Sequence, residues 1–219
     1  MAGWHLPWEL FIEDLDGMIR AMRLFGCTHA VIPGAFARKY RSEEGLRLFL
    51  SELEPISKRL TAEGISLSYH NHNHEMCRYS GKTWLESLFS ATAASGLQAE
   101  LDVYWIQAGG GNPIKWIQDM AGRQTLLHLK DYIVTQDRLD DEALSIRLKA
   151  GVGAEPRVCV IGDGSMDLKG MLTAAGQAQI PWYLVEQDEA FGMSPLEAIK
   201  RSRDNLVKLV EEVRNGYAE

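Results

Sequence analysis

Tyr69-His70-Asn71-His72-Asn73-His74-Glu75 gathers three of the chain's six histidines and a carboxylate. They close an apolar run, Ile65-Ser66-Leu67-Ser68-Tyr69. Three later segments have the same form, an apolar run ending in a ligand-type residue: Leu101-Asp102, Leu126-Leu127-His128 and Tyr183-Leu184-Val185-Glu186. Four strand ends offering His, Asp, His and Glu predict one divalent-metal site gathered from across the sequence. A mixed N/O donor set suits Mn²⁺, Zn²⁺, Co²⁺ or Mg²⁺, and carboxylates favour the harder ions. An ion with open positions can hold two adjacent substrate oxygens and stabilise an enediolate or alkoxide. A carboxylate beside it can move a proton.

Singly, each residue has a plainer reading. A histidine ending a strand is more often a hydrogen-bonded structural group. Asp102 could cap the helix that follows it. Glu186 could pair with a neighbouring Arg or Lys, and Lys130 with Asp131 or Glu186. Tyr104 and Trp105 are more often packing residues than substrate walls. Recurrence at four strand ends raises the joint reading above these.

The elements that must position these residues alternate between helix and strand. Leu10, Phe11, Leu15, Met18, Ile19 and Met22 have helical spacing over residues 8–25, and Gly26 is a stop. Residues 28–33 read as a strand, 43–63 as a helix stopped by Gly64, and 65–70 as the strand carrying His70. A helix near 82–95, a strand at 97–103, a helix at 113–121 and a strand at 125–130 follow. The polar stretch 135–157 reads as a loop with a short helix. A short strand at 158–161, a helix at 167–178, a strand at 181–186 and a helix at 195–214 complete the chain. Such alternation predicts an α/β fold of parallel βαβ units. A doubly wound sheet and a (β/α) barrel both collect ligands at the C-terminal ends of strands. Gly109-Gly110-Gly111 lacks the Lys-Ser/Thr of a phosphate loop. Four ligand types ending four strands fit the (β/α) TIM barrel better.

With 219 residues and 46% apolar composition, the chain suits a single domain, 1–219, with a sizeable core. A net charge of −7 speaks against a nucleic-acid partner. Cys27, Cys77 and Cys159 are odd in number and far apart, which predicts buried thiols in a reducing compartment. No apolar run approaches the roughly 18 residues of a membrane span, and the opening residues lack a secretion pattern. A cytoplasmic location is the expectation.

Five motifs together resemble one branch of the xylose isomerase-like TIM barrels, the sugar phosphate isomerase/epimerase superfamily. Tyr69 to Met76 is similar to its Tyr-His-Asn-His-x-x-Glu-Phe signature. Asp102-Val103-Tyr104-Trp105, followed by Ala108-Gly109 and Asn112-Pro113, resembles its Asp-x-Tyr-Trp…Ala-Gly…Asp-Pro segment. His128-Leu129-Lys130-Asp131, Gly162-Asp163-Gly164-Ser165-Met166-Asp167 and Val185-Glu186-Gln187-Asp188 match three further motifs in order. The resemblance runs from about Trp4 to the C-terminus. It implies a divalent metal, with Asp102, His128 and Glu186 on ligand positions. The fourth position is a glutamate in the family's sugar epimerases. Here either His70 occupies it or Glu75 reaches in from the loop; His70 is favoured as ligand, with Glu75 facing the substrate. Of the paired glutamates that act as acid and base in those epimerases, only Glu186 is kept. Lys130 is the candidate second acid, or a polarising cation, and His72 and Trp105 are candidate substrate contacts. Barrels of this family have eight strands. Gly3 to Pro7 looks like the tail of a third strand, so the first two strands are expected to be missing. A truncated reading frame, a fragment and completion by a second copy in a homo-oligomer are the three explanations. Weak solubility or self-association is expected.

The leading functional expectation is a metal-dependent isomerase or epimerase of a sugar or sugar-like polyol, working through an enediolate. The alternatives are a metal-dependent dehydratase of an inosose or dehydroshikimate-like keto compound and a sugar-binding barrel without turnover. A phosphodiesterase acting on abasic DNA would need a larger metal cluster and a basic groove, against which the acidic balance argues.

Overall fold

The apolar stripe between residues 8 and 25 folds into two helices rather than the single one its spacing suggests: α1 (Trp8–Glu13) and α2 (Leu15–Leu24). Asp14 breaks the run. Its carboxylate accepts the N–H of Gly17 at 2.9 Å and so caps α2. The computed structural model describes residues 1–134, 142, 156–188, 190 and 192–216. Most of the predicted 135–157 loop lies outside them. Two units are distinguished: Met1–His128 with Ala174–Tyr183, and Leu129–Thr173 with Leu184–Glu219.

The first unit carries a sheet whose strands alternate with helices. Its early strands are β1 (Trp4–His5), β2 (His29–Ile32) and β3 (Ser66–His70). A short hairpin, β4 (Arg78–Tyr79) with β5 (Lys82–Thr83), precedes β6 (Gln98–Asp102) and β7 (Gln124–Leu129). The sheet order is β1-β2-β3-β6-β7-β10, where β10 is Trp182–Val185. The pairings from β1 through β7 are parallel. The opening residues thus do form a strand beside β2, as expected. Each parallel pair needs a crossover. These are supplied by α1 and α2 between β1 and β2, then by α3 (Glu43–Ala62), α4 (Trp84–Ala91), and the short α5 (Val103–Ala108) and α6 (Pro113–Asp119). Helix α3 starts where the Ser42 hydroxyl accepts the Gly45 N–H, and α4 where Thr83 and Glu86 form a reciprocal capping box. All four residues of β2 are buried, as in a parallel strand covered on both faces. The arrangement is that of an α/β barrel segment: six strands with helices between them.

An aromatic cluster fixes β3 against these helices. Phe49 of α3 meets Trp8 at 4.7 Å, Trp84 at 5.6 Å and Tyr69 at 5.9 Å between ring centroids. The Tyr69 ring is buried among them, and its hydroxyl accepts the Ala35 N–H at 2.7 Å. Tyr69 therefore anchors the end of β3 immediately before His70.

In the second unit, β8 (Asp131–Val134) pairs antiparallel with β9 (Pro156–Cys159). The short strand expected at 158–161 is present two residues earlier, and its antiparallel partner is a strand the sequence pattern did not suggest. Helix α7 (Leu168–Gln177), of which the residues up to Thr173 belong to this unit, and the long α8 (Pro195–Gly216) follow. Ser202 and Asn205 of α8 hold Ile161: the Ser202 hydroxyl accepts its N–H at 3.1 Å, and the Asn205 amide donates to its carbonyl at 2.8 Å.

Candidate metal centre

His70 and Asp102 are the last residues of β3 and β6, and His128 is the penultimate residue of β7. Strand register brings them side by side. His70 lies opposite Glu100, and Asp102 lies opposite His128. The second pairing depends on a shift: Ala99 faces Gln124, but Glu100 faces Leu126. Without that extra residue on β7, Asp102 would lie opposite Leu127, whose side chain points to the other face.

Ligand atoms of His70, Asp102 and His128 lie within 4.8 Å of one another. His70 Nε2 is 3.9 Å from Asp102 Oδ2, and the two imidazole rings are 4.6 Å apart. All three residues are buried. The capping and ligand readings of Asp102 are compatible, because its oxygens face different ways. Oδ1 accepts the Trp105 N–H at 3.0 Å and starts α5, while Oδ2 is the oxygen on the His70 side. Asn71 steadies the same residue through its backbone: Asn71 Oδ1 accepts the Asp102 N–H at 3.1 Å, and Asn71 Nδ2 donates to the Asp102 carbonyl at 3.4 Å. Asn71 thus has a positioning role that the signature alone did not assign.

Glu75 lies in the short helical turn that follows β3. It is buried and turned inward: Oε1 accepts the Tyr69 hydroxyl at 2.7 Å and Oε2 accepts the His72 N–H at 2.8 Å. His74 Nε2 lies 3.2 Å from Oε1. A carboxylate so engaged braces the 70–75 loop, and His70 is the residue of this segment whose ligand atom lies with those of Asp102 and His128. Burial, followed by the Glu75 charge and hydrogen bond, pushes the Tyr69 phenol well above its usual range. His72 is held over this brace, with its ring 5.3 Å from Trp105 and 5.0 Å from Phe36. Phe36 was not a sequence candidate. It stands 48% exposed and packs on Gly34, where a Cβ would come within 2.8 Å of its ring.

Two further residues of this cluster escaped the sequence reading: Glu100 and His5. Glu100 is 1% exposed, with Oε1 2.6 Å from His128 Nε2 and Oε2 3.0 Å from His5 Nε2. Burial pushes its carboxyl up, but hydrogen bonds from His128 and His5 outweigh that and lower it to about 2. The signal in the sequence was its place two residues before Asp102, hence on the same face of the strand. His5, His70, Glu100 and His128 also present ligand atoms within 4.8 Å of one another. Imidazoles and carboxylates in this proportion form a donor set suited to zinc and its neighbours.

Lys130 and Glu186 belong to the second unit. The Lys130 ammonium is buried and sits 3.2 Å from Glu186 Oε2 and 3.1 Å from Asp188 Oδ2. The Glu186 N–H donates to the carbonyl of Leu129 at 3.2 Å. Asp131, the next residue after Lys130, holds the glycine-rich turn: its carboxylate accepts N–H groups from Gly162, Gly164 and Met166 at 3.0, 3.0 and 3.1 Å. Two motifs separated by some thirty positions are therefore one structural unit.

The sequence profile of the xylose isomerase-like TIM barrels matches residues 6–212. The chain belongs to that family. Among solved structures, it resembles a sugar phosphate isomerase/epimerase from Parabacteroides distasonis, with a TM-score of 0.70 and 21% identity over 92% of this chain and 67% of that one. It also resembles an L-ribulose 3-epimerase (TM-score 0.67, 13% identity, 95% of this chain and 69% of that one). A third is an IolI protein with a bound zinc atom (TM-score 0.64, 17% identity, 92% and 69%). This member of the family spans about two thirds of the length of those structures. A search of curated protein sequences finds no match. Among the described residues, no helix is long and apolar enough to cross a membrane.

Proposed function

We propose that this chain is a metal-dependent isomerase or epimerase of a sugar or sugar-like polyol. The observation that carries the reading is the convergence of His70, Asp102 and His128, three ligand types from three adjacent parallel strands. In this proposal they hold a divalent ion of the Mn, Zn, Mg or Co class, and Glu186 enters from its motif as fourth ligand and base. The ion would supply Lewis-acid polarisation of a carbonyl and its neighbouring hydroxyl. His72 and Trp105 are the proposed substrate contacts, with their paired rings providing a polar edge and an apolar face. Lys130, clasped by Glu186 and Asp188, serves as a cation that holds the Glu186 carboxylate in place. Small sugars fit the family relationship, and the acidic balance of the chain gives no basis for a nucleic-acid partner.

A second reading, dehydration of an inosose or dehydroshikimate-like keto compound, is favoured by one observation. Glu75, the other carboxylate of the signature loop, is occupied by Tyr69 and His72. One base is sufficient for removing an α-proton before loss of water, whereas two-sided epimerisation needs an acid–base pair. The test is a panel of ketoses and keto-inositols offered to chelator-stripped protein and to protein reloaded with Mn²⁺, Zn²⁺, Mg²⁺ or Co²⁺. Epimerised product with metal alone supports the first reading, and an unsaturated product absorbing in the ultraviolet supports the second. Equal turnover without metal would defeat both.

A further inference from the structure

Glu100 is a buried carboxylate that the proposed reaction does not use, and its surroundings give it a specific task. It lies on β6 two residues before Asp102, on the same face and one step deeper. Both of its oxygens are engaged by imidazole nitrogens, His128 Nε2 at 2.6 Å and His5 Nε2 at 3.0 Å. The His5 and His128 rings stack at 5.2 Å with an interplanar angle of 11°. An ionised carboxylate accepts hydrogen bonds and donates none. Both Nε2 atoms must therefore carry the proton in these contacts, and a neutral imidazole that donates from Nε2 keeps its lone pair on Nδ1.

We propose that Glu100 is a positioning residue: tethered on its far side by His5, it fixes the ring orientation and Nε2–H tautomer of His128 so that Nδ1 is presented to an ion. The inference rests on the metal-site reading above. Hydrogen bonds from a ligating histidine to a carboxylate are the usual means of setting which nitrogen binds metal and of raising its basicity. The short contact to His128 and the near-complete burial of Glu100 suit that task, because a charge-assisted bond in a dry site resists ring rotation. As a direct ligand, Glu100 would have to release its imidazole partners.

The test uses the full chain with ¹⁵N-labelled histidine, and long-range ¹H–¹⁵N correlations to read each tautomer in metal-free protein. His128 is expected as the Nε2–H tautomer. In E100Q the carboxamide offers one acceptor oxygen and one donor nitrogen, so Nε2–H can be kept by His5 or His128 but not by both. One of the two rings, His128 or His5, should then show the Nδ1–H form, and the His128 signal should no longer be the pure Nε2–H tautomer. Titration with Co²⁺ and Zn²⁺ is expected to show affinity about 10–100-fold lower in E100Q, with the visible Co²⁺ bands keeping their shape. Asp at this position (E100D) should recover part of the loss. Wild-type His128 as the Nδ1–H tautomer would overturn the proposal, and so would undiminished affinity in E100Q. Co²⁺ bands in E100Q typical of a lost ligand would also overturn it, by making Glu100 a ligand. If wild-type protein takes up no Co²⁺ or Zn²⁺, the metal-site reading fails, while the tautomer measurement still decides whether Glu100 governs His128.

Discussion

Asp131 in the second unit and Glu100 in the first are both 1% exposed, yet they are satisfied by different kinds of partner. Asp131 accepts backbone N–H groups from Tyr132, Gly162, Gly164 and Met166. Glu100 accepts from two imidazoles, His5 and His128. Backbone donors cannot titrate, rotate away or bind metal, so Asp131 is locked into holding a turn. Imidazoles can do all three, so the surroundings of Glu100 can respond to a ligand. The donor type distinguishes a carboxylate that holds a turn from one held by side chains that are themselves ligand types, although the two are equally buried.

The largest effect that would break this comparison comes from Asp131→Asn. The amide nitrogen would face N–H donors, leaving buried groups opposed or unpaired, and a stability loss of about 3 kcal/mol or more is expected in urea unfolding. Metal content per folded molecule should not change. Asp102→Ala should do the reverse. Zinc affinity, measured by competition with a chromogenic chelator, should fall by more than about 100-fold, beyond the range of a supporting residue. Stability should fall by only about 1 kcal/mol, the usual loss of a helix cap. If both variants lost stability and metal equally, the distinction between the two regions would not hold.

Gly164→Ala sharpens the structural side. A Cβ there would lie 2.2 Å from Asp131 Oδ1 and 2.5 Å from the Tyr132 carbonyl, so a loss of about 1–3 kcal/mol is expected in the same assay. The smallest effects are in the pH dependence. Glu100 has its pKa lowered to about 2 in the fold, so its stabilising contribution is present above the unfolded carboxylate range. It should be lost as pH falls from about 4.5 through about 2. Cys159 behaves oppositely. Burial first, then the charges of Asp131 and Asp163, raise its thiol to about 12. The unfolded thiol ionises first, so stability should fall as pH rises from about 9 towards about 12. Replacing Cys159 by Ser should flatten the alkaline limb of a melting-temperature profile, while E100Q should flatten the acid one.

Much of the fold was legible because it is local. Helical spacing and glycine stops located α3, and the apolar runs located β3, β6 and β7 within a residue or two. The break at Asp14 was not seen because a capping side chain can interrupt an apolar stripe without changing its period. The β8–β9 hairpin was missed because antiparallel pairing joins residues far apart in sequence. At the site, His70, Asp102 and His128 were readable as polar ends of apolar runs. The contact of Glu75 with Tyr69 was not readable, because nothing in the linear signature says whether a loop carboxylate faces out or folds back.

The residue types at the strand ends follow from the linear order of the chain, and with them the availability of a mixed histidine–carboxylate cluster. Only the tertiary structure decided which of them meet. The one-residue shift between β6 and β7 sets Asp102 opposite His128, and β1, paired parallel with β2, carries the His5 that meets Glu100. Register is a property of two strands at once. A slip of one residue turns every side chain to the other face, so the partners of a buried carboxylate cannot be read from its own segment.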